Sequence, residues 1–132
     1  MSEKNLEIVR QIYAEYANDP GAVRDVYASD FELDVAEIAP DIGVVRGFDG
    51  AREAMQPYFK SFDDFRMEID EVLHADDRQV VVAMHDSGRM HGSEFEVTNH
   101  RFHVWTFRDG KVVRFSSHID QARALEAARL SE

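Results

Sequence analysis

Cysteine is absent from this chain, which excludes disulfide frameworks, thiolate metal sites and cysteine nucleophiles at once. Basic charge is in short supply. Fifteen Lys+Arg stand against 26 Asp+Glu, a formal net charge of −11, whereas a nucleic-acid binder needs a basic stripe to displace counterions. No stretch approaches the ~20 apolar residues of a membrane-spanning helix. The start, Met1-Ser2-Glu3-Lys4-Asn5, lacks the basic and then apolar run of a secretion signal. The expectation is a soluble cytoplasmic protein with neither nucleic-acid nor membrane partners. Low-complexity segments, internal repeats, Gly-rich phosphate loops and nucleophile elbows are also missing. What remains is ordinary globular material, 44% hydrophobic and 11% aromatic with nine Phe, which excludes an acidic disordered tail. A chain of 132 residues makes one domain, residues 1–132, that buries roughly two-thirds of its unfolded surface without a staple.

Leu6, Val9, Tyr13 and Tyr16, with Ile12 beside them, form one apolar stripe and predict a helix from Asn5 to Asn18. Pro20-Gly21 breaks it, and a short helix with Val23, Val26 and Tyr27 inward follows. Phe31 to Glu37 alternates apolar and polar, the period of a half-buried strand, and Glu37 shares the inward parity of Phe31, Leu33 and Val35. Val44 to Gly47 is a short strand. Asp49 is placed to cap a helix running through Lys60, with a kink or shift expected at Pro57. From Phe65 the period changes to two, and strands follow around turns at Ala75–Arg78, His91-Gly92 and Asp109-Gly110. Asp120 opens a last helix as its N-cap, with Leu125 and Ala128 inward. This order predicts an α+β domain: a curved antiparallel sheet with helices over its concave face, enclosing a pocket.

A two-residue loop at Asp109-Gly110 sets Arg108 opposite Lys111. Counting back, Val104 faces Phe115, Phe102 faces Ser117 and His100 faces Ile119, all on one face, the better core candidate. Arg101, His103, Trp105 and Arg114, with Phe107, fall on the other, which reads as a homodimer interface. Phe95 and Val97 have the opposite parity to Phe102 and Val104, and a bulge near Asn99 would reconcile them. For the strand from Gln79 to Met90, a two-residue turn at His91-Gly92 puts His85 on the pocket face. A longer loop puts Met84 and Asp86 there instead.

Several phrases carry a family resemblance: Tyr27-Ala28-Ser29-Asp30-Phe31-Glu32-Leu33, Gly47-Phe48-Asp49-Gly50-Ala51-Arg52-Glu53-Ala54, the run Val104 to Phe115 through Trp105-Thr106-Phe107-Arg108-Asp109-Gly110, and the end from Asp120 to Ala128. With the element order, they make the chain resemble SnoaL-like proteins of the nuclear-transport-factor-two and ketosteroid-isomerase superfamily. The resemblance implies a cystatin-like (nuclear-transport-factor-two-like) cone with a deep pocket, and frequent dimers through the outer sheet face. Activities it implies include isomerases, polyketide cyclases, dehydratases and epoxide hydrolases. The isomerases' basic carboxylate on the first strand falls at Val35, their oxyanion acid at about His100 and their helix-one tyrosine near Tyr13. The epoxide hydrolases' aspartate on the last strand falls at Ser117, and their Arg and Asp fall near Met84 and Asp86. Neither mechanism transfers as it stands, because the isomerases' base is missing at Val35 and the hydrolases' Asp-Arg-Asp triad is not intact.

Among the residues themselves, His100 is the leading acid/base or oxyanion donor, its ordinary pKa lying near 6.5. The competing reading is a core histidine bonded to backbone. Asp86 and Glu37 are the carboxylate partners, since burial raises a carboxyl toward neutrality; otherwise both are strand-end acids in water. Tyr13, Tyr16, Met84, Phe102, Val104, Phe115, Ser117 and Ile119 would line the pocket around a small apolar molecule. His85/His91 and His100/His103 share no face or partner set, and no HxH or HExxH occurs, so no metal is expected. The expected chemistry, if any, is cofactor-free isomerisation, cyclisation or dehydration, with a non-catalytic binding or dimeric module as the alternative.

Overall fold

The computed structural model describes residues 2–16 and 20–129, without the side chains of Ser2, Tyr16, Pro20 and Ala22. Helix α1 spans Ser2–Tyr16, and a 3₁₀ turn covers Pro20–Val26. Strands β1 (Tyr27–Asp34) and β2 (Val44–Arg46) precede helix α2 (Phe48–Lys60). Strands β3 (Phe62–Ala75), β4 (Gln79–Met90), β5 (Glu96–Arg108) and β6 (Lys111–His118) lead to helix α3 (Gln121–Ala127). The six strands form one open sheet in the order β2-β1-β6-β5-β4-β3. Every neighbouring pair is antiparallel except β1 with β6, which runs parallel. The α+β cone expected from the sequence is what the chain builds, except that its sheet is mixed rather than wholly antiparallel and its last helix covers the convex face.

Each face of the sheet has its own apolar cluster. On the concave face, Val9, Ile12 and Tyr13 of α1 pack over Val80, Val82, Met84, Trp105 and Phe107. On the convex face, Ala124, Leu125 and Ala128 at the end of the chain cover Val81 and Val104. The third helix therefore lies on the side opposite α1. Val80-Val81-Val82 loses its alternation because β4 is covered on both faces here, and a strand buried on both faces reads as a continuous apolar run. Asn5 ties α1 down by donating to the carbonyls of Asp76 and Asp77, each at 3.1 Å.

The caps divide. Asp120 is the N-cap of α3 and accepts from the Arg123 N–H at 2.8 Å. Asp49 does not cap α2. That position falls to Gly47 at φ 85°, while Asp49 lies in the first turn and pairs with Arg24. Helix α2 continues through Pro57 to Lys60. Strand β1 starts and ends earlier than the alternation suggests, so Glu37 lies in the loop beyond it.

The face assignment around the last hairpin is corrected by one residue. Arg108 does oppose Lys111, but the register shifts between Thr106 and Phe107, leaving Val113 as the extra residue. Trp105 then opposes Phe115, His103 opposes Ser117, and Phe102 opposes His118. A single inserted residue exchanges which side chains share a face. The concave face thus receives Arg101, His103 and Trp105 with Phe115 and Ser117, and the convex face receives His100, Phe102 and Val104. Arg101, His103 and Trp105 are removed from the expected outer dimer surface, because all three line the inner cavity. Arg114 stays outside, paired with Glu32 at 3.2 Å and Asp34 at 2.6 Å. Strands β4 and β5 pair without a break from Gln79–Thr106 to Arg89–Glu96, so there is no bulge near Asn99. The loop between them is the longer of the two considered, which turns Met84 and Asp86 inward and His85 outward.

Gly88 of β4 is buried where β3 kinks between Asp63 and Arg66. A Cβ there would meet Phe62 Cβ at 3.0 Å and the Asp63 carbonyl oxygen at 3.2 Å. Neither atom can rotate away. Gly88→Ala is therefore expected to cost about 1–3 kcal/mol, read as a lowered urea midpoint with an unchanged slope.

Candidate functional site

Between the concave face, α1, α2 and the 35–42 loop lies a cavity of about 410 Å³, within the range of small-ligand clefts. Its wall is mostly apolar: Phe31 and Leu33 from β1, Val35 just beyond that strand, Met55 and Phe59 from α2, and Phe115 from β6. Arg52 and Lys60 of α2 also line it and remain exposed. Two polar clusters interrupt the apolar wall.

The first cluster holds Asp86, Tyr58 and Asn99. Asp86 is 8% exposed. The Tyr58 hydroxyl donates toward both its carboxylate oxygens at 3.1 Å. The Asn99 amide donates to Asp86 Oδ1 and to the Tyr58 oxygen, each at 3.2 Å. Burial raises the Asp86 carboxyl above its ordinary value, against the hydrogen bonds from Asn99 and Tyr58 and the nearby Arg101 charge. Burial and then the Asp86 charge push the Tyr58 phenol up to about 12. Arg101, two residues along β5 from Asn99, lines the cavity and makes no ion pair among the described residues. The geometry follows from register: Asp86 opposes Asn99 on the neighbouring strand, and α2 brings Tyr58 over the pair.

The second cluster sits about 13 Å farther along β5, at four residues of ~3.3 Å each. The Tyr13 hydroxyl lies 2.6 Å from His103 Nδ1 and accepts from Trp105 Nε1 at 3.0 Å. Rings of Tyr13, Trp105, His103 and Phe115 pack edge-on or tilted, with the Trp105–Phe115 and His103–Phe115 centroids 4.6 Å apart. His103 is buried, and burial foremost, then the charges of His118 and Arg101, lowers its pKa to about 3. It is a neutral imidazole at physiological pH. Across from it, the buried Ser117 Oγ has no hydrogen-bond partner among the described residues.

The residues expected from sequence separate accordingly. Tyr13, Asp86, Phe115 and Ser117 line the cavity. Met84 is buried in the main core beside it, 1% exposed. The side chain of Tyr16 lies outside the described residues. Phe102 and Val104 belong to the convex cluster under α3, and Ile119 is exposed. His100 is corrected from the cavity to the convex face, its side chain 73% exposed. Glu37 does not reach the cavity either. It accepts from the Ile119 N–H at 2.7 Å and pairs with His118 Nδ1 at 2.9 Å. Burial works to raise its carboxyl, but those bonds outweigh it and hold it below the usual range. Sequence reasoning missed Tyr58, Asn99, Arg101 and His103. Three of these were legible as the opposite parity of β5, whose apolar members Trp105 and Phe107 marked it as buried.

The model of the SnoaL-like domain matches residues 8–115. The chain belongs to the SnoaL-like family. No curated protein matches it. Among solved structures, this SnoaL-like domain is similar to a putative SnoaL-like polyketide cyclase from Jannaschia sp. CCS1 (TM-score 0.77, 19% identity, covering 99% of this chain and 95% of that one). It is similar to an NTF2-like protein of unknown function from Burkholderia pseudomallei K96243 (TM-score 0.74, 20% identity, 93% and 95% covered). It is also similar to TerC co-crystallised with polyporic acid (TM-score 0.74, 23% identity, 93% and 96% covered). No helix among the described residues is long and apolar enough to cross a membrane.

Proposed function

We propose that this SnoaL-like domain binds a small, largely apolar molecule bearing an acidic or enolisable oxygen group and moves a proton on it without a cofactor, Asp86 serving as acid and base. The observation that carries the reading is the cavity-facing Asp86 carboxyl, buried, raised in pKa and held by Tyr58 and Asn99. A carboxyl shifted toward neutrality is matched to proton abstraction beside a carbonyl. The Arg101 guanidinium, in the same cavity wall and with no ion-pair partner among the described residues, favours the enolate or carboxylate that results. The neighbour crystallised with polyporic acid is in keeping with an acidic organic ligand.

The competing reading, a binding domain without turnover, draws on Val35. That buried apolar side chain faces the cavity where the isomerases keep their base. Trp105, the sole tryptophan, lines the same cavity and reports occupancy by its fluorescence. The test uses a panel of enolisable cyclic ketones and hydroxyquinones in D₂O, with deuterium exchange beside the carbonyl followed by NMR. Asp86→Asn is expected to keep the Trp105 quench and to lower exchange by about 10²–10⁴-fold. Quenching without exchange in the parent protein would establish the binding domain instead. Exchange that survives Asp86→Asn would remove Asp86 from the chemistry.

A further inference from the structure

The convex face carries a cluster that the cavity does not use. On that face Glu68, His85 and His100 form one row across three strands, since Glu68 opposes His85 and His85 opposes His100. The two imidazole rings are 5.7 Å apart. Asp70 joins them through a backbone irregularity. The register of β3 slips between Ile69 and Glu71, which leaves Asp70 as the inserted residue. Such a bulge re-aims a side chain, and here the Asp70 carboxylate falls between the two rings. Its Oδ1 lies 2.8 Å from His85 Nδ1 and its Oδ2 lies 3.9 Å from His100 Nδ1. The other side of the His85 ring is also occupied, with Nε2 3.5 Å from Glu68 Oε2.

We propose that Asp70, His85 and His100 bind a divalent late-transition ion of the zinc class on the outer face of the sheet, with Glu68 as the outer carboxylate. One ligand atom from each of the three lies within 4.8 Å of the others. Tetrahedral ligation at ~2.0–2.1 Å places ligand atoms about 3.4 Å apart. The adjustment, a lengthening of the 2.8 Å Asp70–His85 contact and a shortening of the 3.9 Å Asp70–His100 one, is small and falls on exposed side chains, His100 at 73% and Asp70 at 42%. Two imidazoles with one carboxylate select borderline ions over magnesium or calcium, which favour oxygen. The Glu68 contact has a specific meaning. A metal-bound histidine commonly donates its free ring N–H to a carboxylate, which fixes the tautomer and raises its basicity. Glu68 stands ready to accept from His85 Nε2 once Nδ1 is turned to the ion.

The site escapes a reading by sequence spacing because its ligands are 15 residues apart, 70 to 85 and 85 to 100. It is also independent of the reading of the cavity. Its place has a consequence all the same. His85 immediately precedes Asp86, and His100 lies between Asn99 and Arg101, so an ion here clamps from outside the strands that hold the inner polar cluster.

The experiment is isothermal titration of tag-free, chelator-stripped protein with Zn²⁺ at pH 7.5, with Co²⁺ absorption reporting the ligand field. Saturable binding of one ion per chain is expected. His100→Ala and Asp70→Asn should each abolish it. Glu68→Gln should weaken it by roughly 10-fold or more. His91→Ala is the control, since that exposed ring pairs with Asp63 at 2.8 Å elsewhere on the surface; it should leave the isotherm unchanged. Circular dichroism of each variant confirms that the fold persists. The proposal is overturned by an absence of saturable binding in the parent protein, by binding that survives both His100→Ala and Asp70→Asn, or by binding lost in the His91 control.

Discussion

Acidification below pH 6.5 is expected to destabilise the protein through His103, by several kcal/mol in all. In an unfolded chain a histidine takes up its proton near pH 6.5. In the folded protein, burial holds His103 neutral down to about pH 3. Above pH 6.5 neither state carries the proton and the difference contributes nothing. Below it the unfolded state binds a proton that the native state refuses, so stability falls by up to about 1.4 kcal/mol per pH unit. The loss ends only where the native ring titrates, and amounts to on the order of 5 kcal/mol. Asp86 acts in the opposite direction, because its raised carboxyl binds a proton more readily in the folded state. Glu37, lowered in the fold, adds to the loss only at more acid pH. The measurement is the urea midpoint at pH 6.5 and 4.5 for the parent and for His103→Gln. The parent should lose about 2–3 kcal/mol more than the variant across that interval. Parallel losses would mean that the ring is hydrated and titrates as in water.

Trp105→Ala is expected to cost about 3–5 kcal/mol. Trp105 is 2% exposed and packs against Tyr13, His103 and Phe115. Truncation removes the ring contacts, enlarges the cavity and deprives Tyr13 of a donor. Trp105→Phe separates these contributions. It keeps an aromatic body and loses the Nε1–H bond to Tyr13 at 3.0 Å, so a cost of about 1–2 kcal/mol is expected. Chemical unfolding followed by circular dichroism gives both numbers, because the fluorescence signal leaves with the indole. Equal costs for the two variants would show that the hydrogen bond, and not the packing, holds the inner end of the cone.

Much of the fold was legible because its signals are local. Strand β4 begins and ends where Gln79 and Met90 suggest, Asp109-Gly110 makes the hairpin, and Asp120 caps the last helix. The site was less legible, and the reason is one residue. Val113 adds a bulge to β6 that no composition or period announces, and it exchanges the two faces of the strand pair. His100 and His103 traded places with it. Asp86 faces the cavity because the loop at His91-Gly92 is the longer of the two considered, a choice the sequence left open. Its partners Tyr58 and Asn99 come from a helix and a strand distant in sequence, and only folding brings them together.

The sheet is open, and its outermost strand on one side is β3, 14 residues long. A ladder of that length is a template for strands from other molecules, and amyloid-type stacking uses flat runs of about six or seven residues. Strand β3 offers no such run. Its pairing slips between Asp63 and Arg66, between Ile69 and Glu71, and between Val72 and His74, so the longest stretch in even register is Arg66–Ile69. Arg66, Glu68 and Asp70 add charge along the same strand. The bulge that turns Asp70 toward the histidines is thus also one of the breaks that keep this edge from recruiting its own kind into fibres.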